Sequence, residues 1–397
     1  MGEWTTASVE DVAARDPRAI AIGPFGSAMK ADVYTPTGMP VVRGQDIREG
    51  KALDTSDRVF VPDSIVNKFA ACVVRKGDLV FPHRGAIGRV GIVGDEELML
   101  SSSMMKLSVD RSRMDPLFVF YYFRGPGKPE LLARTSTVGT PGIAQPLSSL
   151  RSIPIRFPSL EEQRAIAEAL GALDDKIAAN DRVITAADEM MVVLASSSPR
   201  TVSVLELADH RTKSVKPETF DAEVAHFSLP AFDDGQIPAT DDAGSIKSNK
   251  FALTDPCVLI SKLNPRIPRI WDVPVVPRQM AVASTEFVML VPRTTSTSAL
   301  WAALKTPAVS AALQGLVAGT SGSHQRVKPA ELLALSVPDP RALPADVQDQ
   351  LANLGSAVNA LRSEKVRLAA TRDELLPLLM SGKLRVKDAE QVAGEVS

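Results

Sequence analysis

The amino-acid sequence repeats itself at long range, and this repeat narrows the folds open to the chain. Gly139-Thr140-Pro141-Gly142, followed by Gln145, Leu147 and Pro158 ahead of a helical run, recurs as Gly319-Thr320-Ser321-Gly322, Gln325, Val327 and Pro338 ahead of a second run, each pair 180 positions apart. Upstream, Gly77-Asp78-Leu79-Val80-Phe81 with Arg84 and Arg89 beyond it lies opposite Cys257-Val258-Leu259-Ile260-Ser261 with Asn264, Arg266 and Arg269. A period this long, present twice, exceeds a solenoid repeat and points to a pseudo-symmetric two-domain molecule.

The two helical runs carry the strongest periodicity. Alternate steps of four and three from Ile166 reach Leu170, Leu173, Ile177, Asn180, Ile184, Ala187, Met191 and Leu194. The same stepping from Val347 reaches Leu351, Leu354, Val358, Leu361, Lys365, Leu368, Arg372, Leu375 and Leu379. Both are heptad seams. Charged residues between them, such as Glu161, Asp174, Glu364 and Asp373, prevent burial on all sides, so each helix needs one long partner, naturally the other. The polar seam residues Asn180, Lys365 and Arg372 either fix register or face a third helix or DNA. Ser159 and Glu162 have capping-box spacing, and both helices are expected to start just past Pro158 and Pro338. Roughly 35 residues give a rod on the order of 50 Å, long enough to be a spacer between two similar domains. Ala165, Ala169, Ala172, Val192, Val193, Leu376 and Met380 are expected on outer faces as a docking surface.

Outside these runs, short β-branched segments are broken by Gly, Pro, Asp and Asn. Met39 to Arg43, Asp78 to Phe81, Gly88 to Val93, Cys257 to Ser261 and Glu286 to Pro292 read as strands, and Pro116 to Arg124 and Ser298 to Leu316 as helices at matching places. The expected fold is α+β: two pseudo-repeated mixed α/β domains separated by two long helices in an antiparallel coiled coil. The expected boundaries are 1–157 for the first domain, 158–196 for the first helix, 197–338 for the second domain and 339–397 for the second helix and a tail frayed after Lys387. Two cysteines, Cys72 and Cys257, and four histidines provide neither a disulfide framework nor a metal-ligand cluster. The first residues, MGEWTTASVEDVA, have neither a basic start nor an apolar core, and no apolar stretch is long enough for a bilayer, so a cytoplasmic location away from membranes is expected. The formal net charge of −2 argues against a chain basic throughout, which leaves local charge as the relevant quantity.

Catalytic motifs fail on inspection. Gly85, Gly88 and Gly91 lack the Lys-Ser or Lys-Thr of a phosphate loop and fit no dinucleotide fingerprint. Asn264-Pro265-Arg266-Ile267 begins like the Asn-Pro-Pro-aromatic motif of adenine methyltransferases but lacks the second proline and the stacking ring that a flipped base needs. Neither a His-Glu-x-x-His spacing nor a Gly-x-Ser-x-Gly elbow occurs. No metal or cofactor is assigned to the chain.

Phe157-Pro158-Ser159-Leu160-Glu161-Glu162-Gln163-Arg164-Ala165-Ile166-Ala167-Glu168, continuing to Ile177, resembles the first spacer helix of the specificity subunit of type I restriction-modification systems. Gly23-Pro24-Phe25-Gly26-Ser27 and Val41-Val42-Arg43-Gly44-Gln45-Asp46-Ile47 resemble the opening of that family's first target recognition domain, and Glu374 to Leu384 the end of its second spacer. Asp346-Val347-Gln348-Asp349-Gln350 stands where the Glu-Glu-Gln wording belongs. The resemblance implies a non-catalytic DNA-specificity subunit. In it, each recognition domain reads half of a bipartite site in double-stranded DNA and the helices fix the spacing. It also implies two methyltransferase subunits, which bind S-adenosylmethionine and methylate adenine N6, and restriction subunits that are also the translocases.

Candidate DNA contacts are the loops where basic and polar residues cluster beside glycine in both copies. In the first they are Arg75 and Lys76 together with Arg84 and Arg89, then Thr140 and Gln145; Arg43 and Gln45 join them through the family's opening motif. In the second they are Lys262, Asn264, Arg266 and Arg269, then Ser321, His324, Gln325 and Lys328. Arg and Lys suit phosphates and guanine edges, and Asn and Gln suit adenine edges. Solvated loop charge is the alternative for any one of them. At the level of function, the alternatives are an orphan DNA-binding scaffold without enzyme partners and a fused enzyme, for which the motifs are missing.

Overall fold

The structure, a computed structural model, describes residues 4–386 except 26–28, 30, 49, 52, 55, 137–140 and 317–324, so the expected tail after Lys387 lies outside the described residues. The chain forms two compact units, Met1–Ala178 with Arg367–Ser397, and Ala179–Val366. Four helices organise them: α1 (Pro116–Arg124), α2 (Leu160–Ser196), α3 (Thr297–Leu304) and α4 (Ala345–Ser381). Helices α2 and α4 have 37 residues each, a length of about 55 Å.

In the first unit, a four-stranded sheet runs in the order Ile20–Ile22, Met104–Leu107, Leu79–Pro82, Gly91–Ile92, with every pair antiparallel. A second runs Phe60–Val61, Met39–Val42, Leu98–Leu100, Val73–Val74, with Met39–Val42 parallel to Leu98–Leu100. The second unit repeats both. Its first sheet is Ala208–Arg211, Phe287–Pro292, Cys257–Ser261, Ile270–Val273, and its second is Ala239–Asp242, Glu223–Phe227, Ala281–Ala283, Lys250–Ala252, extended by Ser214–Val215. The parallel pair recurs there, with Ala225 opposite Ala281. Each unit is closed by pairing its first strand with its last: Thr5–Ser8 with Pro154–Phe157, and Thr201–Ser203 with Ser336–Pro338.

The cores are built around α1 and α3. Asp115 caps α1 by accepting from the Leu117 and Phe118 N–H groups, and the run Phe118 to Phe123 that follows is buried on every side. Ser296 caps α3, and Trp301 donates to the Ile270 carbonyl at 2.9 Å, which gives this large ring the polar contact that burial demands. The helix expected over Ser298 to Leu316 breaks in two at Pro307, which opens a separate helix Pro307–Gly315 because it has no N–H to continue α3.

The equivalence of the two copies is real, but its offset is not constant. Matching backbone hydrogen bonds pair His83 with Lys262, Ile143 with Val327, and Ile153 with Leu335, separations of 179, 184 and 182. At the helix starts, Gln163 reaches back to the Pro158 carbonyl and Gln348 to the Leu343 carbonyl, a separation of 185. The sequence alignment at 180 therefore slips between the turn and the strap of each unit. For the same reason α4 starts at Ala345 rather than just past Pro338: a short 3-10 turn over Pro340–Ala342 intervenes.

The heptad seams pack as expected within each unit. Ile166, Leu170 and Leu375 are buried in the first unit with Leu173 packed against them; Ile184, Leu351 and Val358 are buried in the second with Leu354 and Leu361 against them. Leu368 is buried and Ile177 half-buried. The polar seam residues are paired between the helices. Asn180 donates to Glu364 at 2.7 Å, Lys365 pairs with Asp181, and Arg372 donates to Asp174 at 2.7 Å. Within the second unit Asn180 meets Glu364 and Asp188 meets Arg362, so the segments of α2 and α4 there run antiparallel. Leu376 and Met380, expected on an outer face, are instead 8% and 3% exposed, because the last turns of α4 pack into the core beside α1.

Asp174, whose side chain is 1% exposed, accepts from Tyr121 Oη at 2.7 Å, Arg124 at 3.0 Å and Arg372 at 2.7 Å. In the second unit Arg362 donates to Asp188 at 2.9 Å; burial pulls the guanidinium below its usual range and pushes the Asp188 carboxyl up. Helix α4 approaches the start of α3 so closely that only glycine fits at position 355: a Cβ there would overlap the Ser298 side chain and stand 3.1 Å from Asp272 Oδ2. Gly355→Ala should therefore cost about 1–3 kcal/mol, read as a melting temperature several degrees lower by calorimetry; an unchanged melting temperature would refute the close approach.

Candidate nucleic-acid interface

Each unit carries one turn built the same way. In the first, the strand Leu79–Pro82 leads through residues 83–90 into Gly91–Ile92; the Gly85 N–H donates to the Pro141 carbonyl at 3.2 Å and the Ile143 N–H to the His83 carbonyl at 3.0 Å. In the second, Cys257–Ser261 leads through residues 262–269 into Ile270–Val273; the Asn264 N–H donates to the Gln325 carbonyl at 3.0 Å and the Val327 N–H to the Lys262 carbonyl at 2.9 Å. A strap just past each glycine loop thus ties down each turn. Gly85 and Asn264 occupy equivalent positions and both are left-handed, with φ of 77° and 51°. Asn is one of the few residues with a side chain that tolerate this region.

The turns present cations outward. Arg84 and Arg266 are exposed, and among the described residues neither is held in an ion pair. Arg89 is exposed and donates to the Ile47 carbonyl at 3.1 Å. Lys262 is half-buried at the start of its turn, and Lys328 is exposed at the end of the strap. Arg269 is gripped by Asp233 through two bonds of 2.7 and 2.8 Å, which hold the guanidinium above its usual range. Behind Arg84, burial holds the His83 imidazole below its usual range, which favours the neutral ring at pH 7.

Other sequence candidates fall elsewhere. Arg43 is paired with Asp46 at 3.2 Å and also donates to the Asp57 backbone carbonyl; Gln45 donates to Asp57 Oδ2 at 3.1 Å. Arg75 and Lys76 lie at the opposite end of the strand Leu79–Pro82 from Arg84, paired with Glu97 at 2.8 Å and Asp95 at 2.6 Å, so they do not join Arg84 in one cluster. Gln145 is exposed at the start of the helix Pro146–Arg151, where its Oε1 accepts from the Ser148 hydroxyl at 3.2 Å. Thr140, Ser321 and His324 lie outside the described residues. Arg48 and Lys128 stand beside Arg89 in the structure, but no spacing in the sequence announces them. No described helix is long and apolar enough to cross a membrane, and among the described residues no group of three or more His, Cys, Asp and Glu side chains could hold a metal ion.

The family described as type I restriction modification DNA specificity domain matches residues 3–187. Over this segment the chain is similar to type I DNA specificity domains. The match covers the first unit's strands, its turn and most of α2. The chain is also 33% identical over 129 residues to the type I restriction enzyme MjaVIII specificity subunit of Methanocaldococcus jannaschii, a stretch that spans 30% of this chain and only 29% of that relative. The crystal structure of a type I restriction-modification system S subunit from M. genitalium is similar with a TM-score of 0.61, covering 95% of this chain and 96% of that one. At 14% identity this likeness concerns the fold. The second unit, beyond the matched segment, repeats the sheet orders and the strapped turn of the specificity domain.

If the left-handed residue shapes the turn, Asn264→Gly should leave stability within about 0.5 kcal/mol of the parent, whereas Asn264→Val should cost about 1–2 kcal/mol. Urea titration of the two variants checks this; equal stability would show the turn relaxing to another conformation.

Proposed function

We propose that the chain is the DNA-specificity subunit of a type I restriction-modification assembly, with each mixed unit reading one half of a bipartite double-stranded site and the helices α2 and α4 acting as the ruler between halves. The observation that carries this is the duplicated turn: two strapped loops with the same hydrogen-bond pattern, each offering an exposed arginine without a carboxylate partner among the described residues. Arg84, Arg89, Lys262, Asn264, Arg266 and Lys328 are the groups placed to meet phosphates and base edges. Thr140, Ser321 and His324 are candidates outside the described residues, and Gln325 belongs to the second strap. Arg43, Gln45, Arg75, Lys76 and Arg269 already hold carboxylates, and would contact DNA only by exchanging these partners. The chain does no chemistry itself; S-adenosylmethionine belongs to the methyltransferase subunits it docks, two per chain, and restriction subunits that are also the translocases complete the assembly.

Helix α2 supports the docking. One residue before its inward seam runs a second heptad stripe, Ala179, Val183, Ala186, Met190 and Val193, and the three large members are 54%, 57% and 69% exposed. Stripes one residue apart lie about 100° apart on a helix, which suits a helix at the corner of a multi-helix bundle. The inward stripe meets α4. The outward one suits a helix of a methyltransferase subunit.

Co-expression with the adjoining methyltransferase should place N6-methyladenine at one split motif across a host genome, as read by single-molecule sequencing, and neither protein alone should do so. Unchanged methylation despite stable co-expression would leave a DNA-binding scaffold instead. Met190→Lys with Val193→Lys should reduce co-purification of the methyltransferase at least tenfold while leaving the melting temperature unchanged, since both side chains are exposed; undiminished co-purification would remove the outward stripe from the interface.

A further inference from the structure

The first unit contains a cleft of about 660 Å³ between the recognition turn, the end of α1 and the last turns of α4. Its charges divide into a floor and a mouth. On the floor, Arg124 and Arg372 share the buried Asp174, and Arg372 also pairs with Asp373 at 2.8 Å, so two guanidinium groups are answered by two carboxylates. At the mouth stand Arg48, Arg89 and Lys128. Arg48 is paired with Asp54 at 3.0 Å through a side chain that is 64% exposed, a weak solvent-screened contact. Arg89 donates only to a backbone carbonyl, and among the described residues Lys128 is held in no ion pair. The mouth therefore carries net positive charge, three cations from three separate elements against the one carboxylate of Asp54.

We infer that this cleft holds a backbone phosphate of the duplex and anchors the first unit without reading sequence. Gly88 and Arg89 belong both to the recognition turn and to the cleft wall, so a strand crossing the turn passes directly to Arg48 and Lys128. Gly88 has φ of 85° and lies against the Leu132 side chain, which fixes the turn where it meets the cleft. Flexible cations converging from three directions suit a tetrahedral anion rather than the planar edge of one base. The anchor is specific to the first unit: the helix Gly127–Ala133 carries Lys128, whereas its counterpart Pro307–Gly315 in the second unit carries no basic residue.

This inference rests on the DNA-specificity reading, and one set of titrations separates the two. The full chain and the variant Arg48→Ala with Lys128→Ala are titrated by fluorescence anisotropy with several unrelated duplexes of about 30 base pairs across a range of salt. Lys68→Ala, an exposed cation that does not line the cleft, serves as the comparison for the loss of a single surface charge. The double variant should bind every duplex about 10-fold more weakly, with the slope of log K against log salt shallower by about 1 to 2, an unchanged melting temperature and an unchanged ranking of sequences. Lys68→Ala should shift affinity less than twofold. Wild-type affinity and slope in the double variant would overturn the cleft assignment alone. An absence of duplex binding by the parent chain would overturn it together with the function proposed.

Discussion

The first unit depends on the buried carboxylate of Asp174. It lies on α2, accepts from Tyr121 and Arg124 on α1 and from Arg372 on α4, and so joins three helices through one side chain. Removing Asp174 from this buried network takes the shared carboxylate from both guanidinium groups, at about 3–5 kcal/mol. Burial and the neighbouring carboxylate also hold the Tyr121 phenol above its usual range, so it stays protonated and donates. The strapped turn is thus carried by a core that is orientationally locked to the helices, because directional bonds to one carboxylate do not survive sliding or rotation. Hydrophobic seams alone would permit both.

The second unit solves the same problem with different chemistry. Arg362 and Asp188 pair across the helices, Asp272 accepts from Ser298 at the start of α3, and Gly355 lets α4 sit against that point. Burial raises Asp272 above the usual carboxylate range. The two copies therefore share topology and the strapped turn but not the polar contacts that fasten them to the helices. Duplication preserved backbone hydrogen bonds, which fold requires, and left the side-chain fasteners free to diverge.

Much of this was legible in the sequence. The heptad steps from Ile166 and Val347 located both helices and their inward faces, because burial of a single stripe leaves a strict period. The duplication was legible through glycine, proline and β-branched runs, but its offset was read as constant when it drifts from 179 to 185. Drift accumulates in loops, and a loop writes no periodic signal. Arg75 and Lys76 were grouped with Arg84 because they are near in sequence, yet the four-residue strand between them carries them to opposite ends. Arg48 and Lys128 are the converse case: they are brought to Arg89 only by tertiary packing, so no local pattern could place them together. The exposed stripe from Ala179 to Val193 was legible in hindsight, since it obeys the same steps as the inward seam one residue later.

The closing strand pairs have a consequence for how the chain tolerates change. Because Thr5–Ser8 lies beside Pro154–Phe157, and Thr201–Ser203 beside Ser336–Pro338, the polypeptide enters and leaves each unit through adjacent strands of one ribbon. Everything between is a closed excursion. A residue gained or lost within it is spent in a loop and returns the chain to the same exit strand. The loops between can therefore change length while the strand that leads towards the following helix keeps its partner.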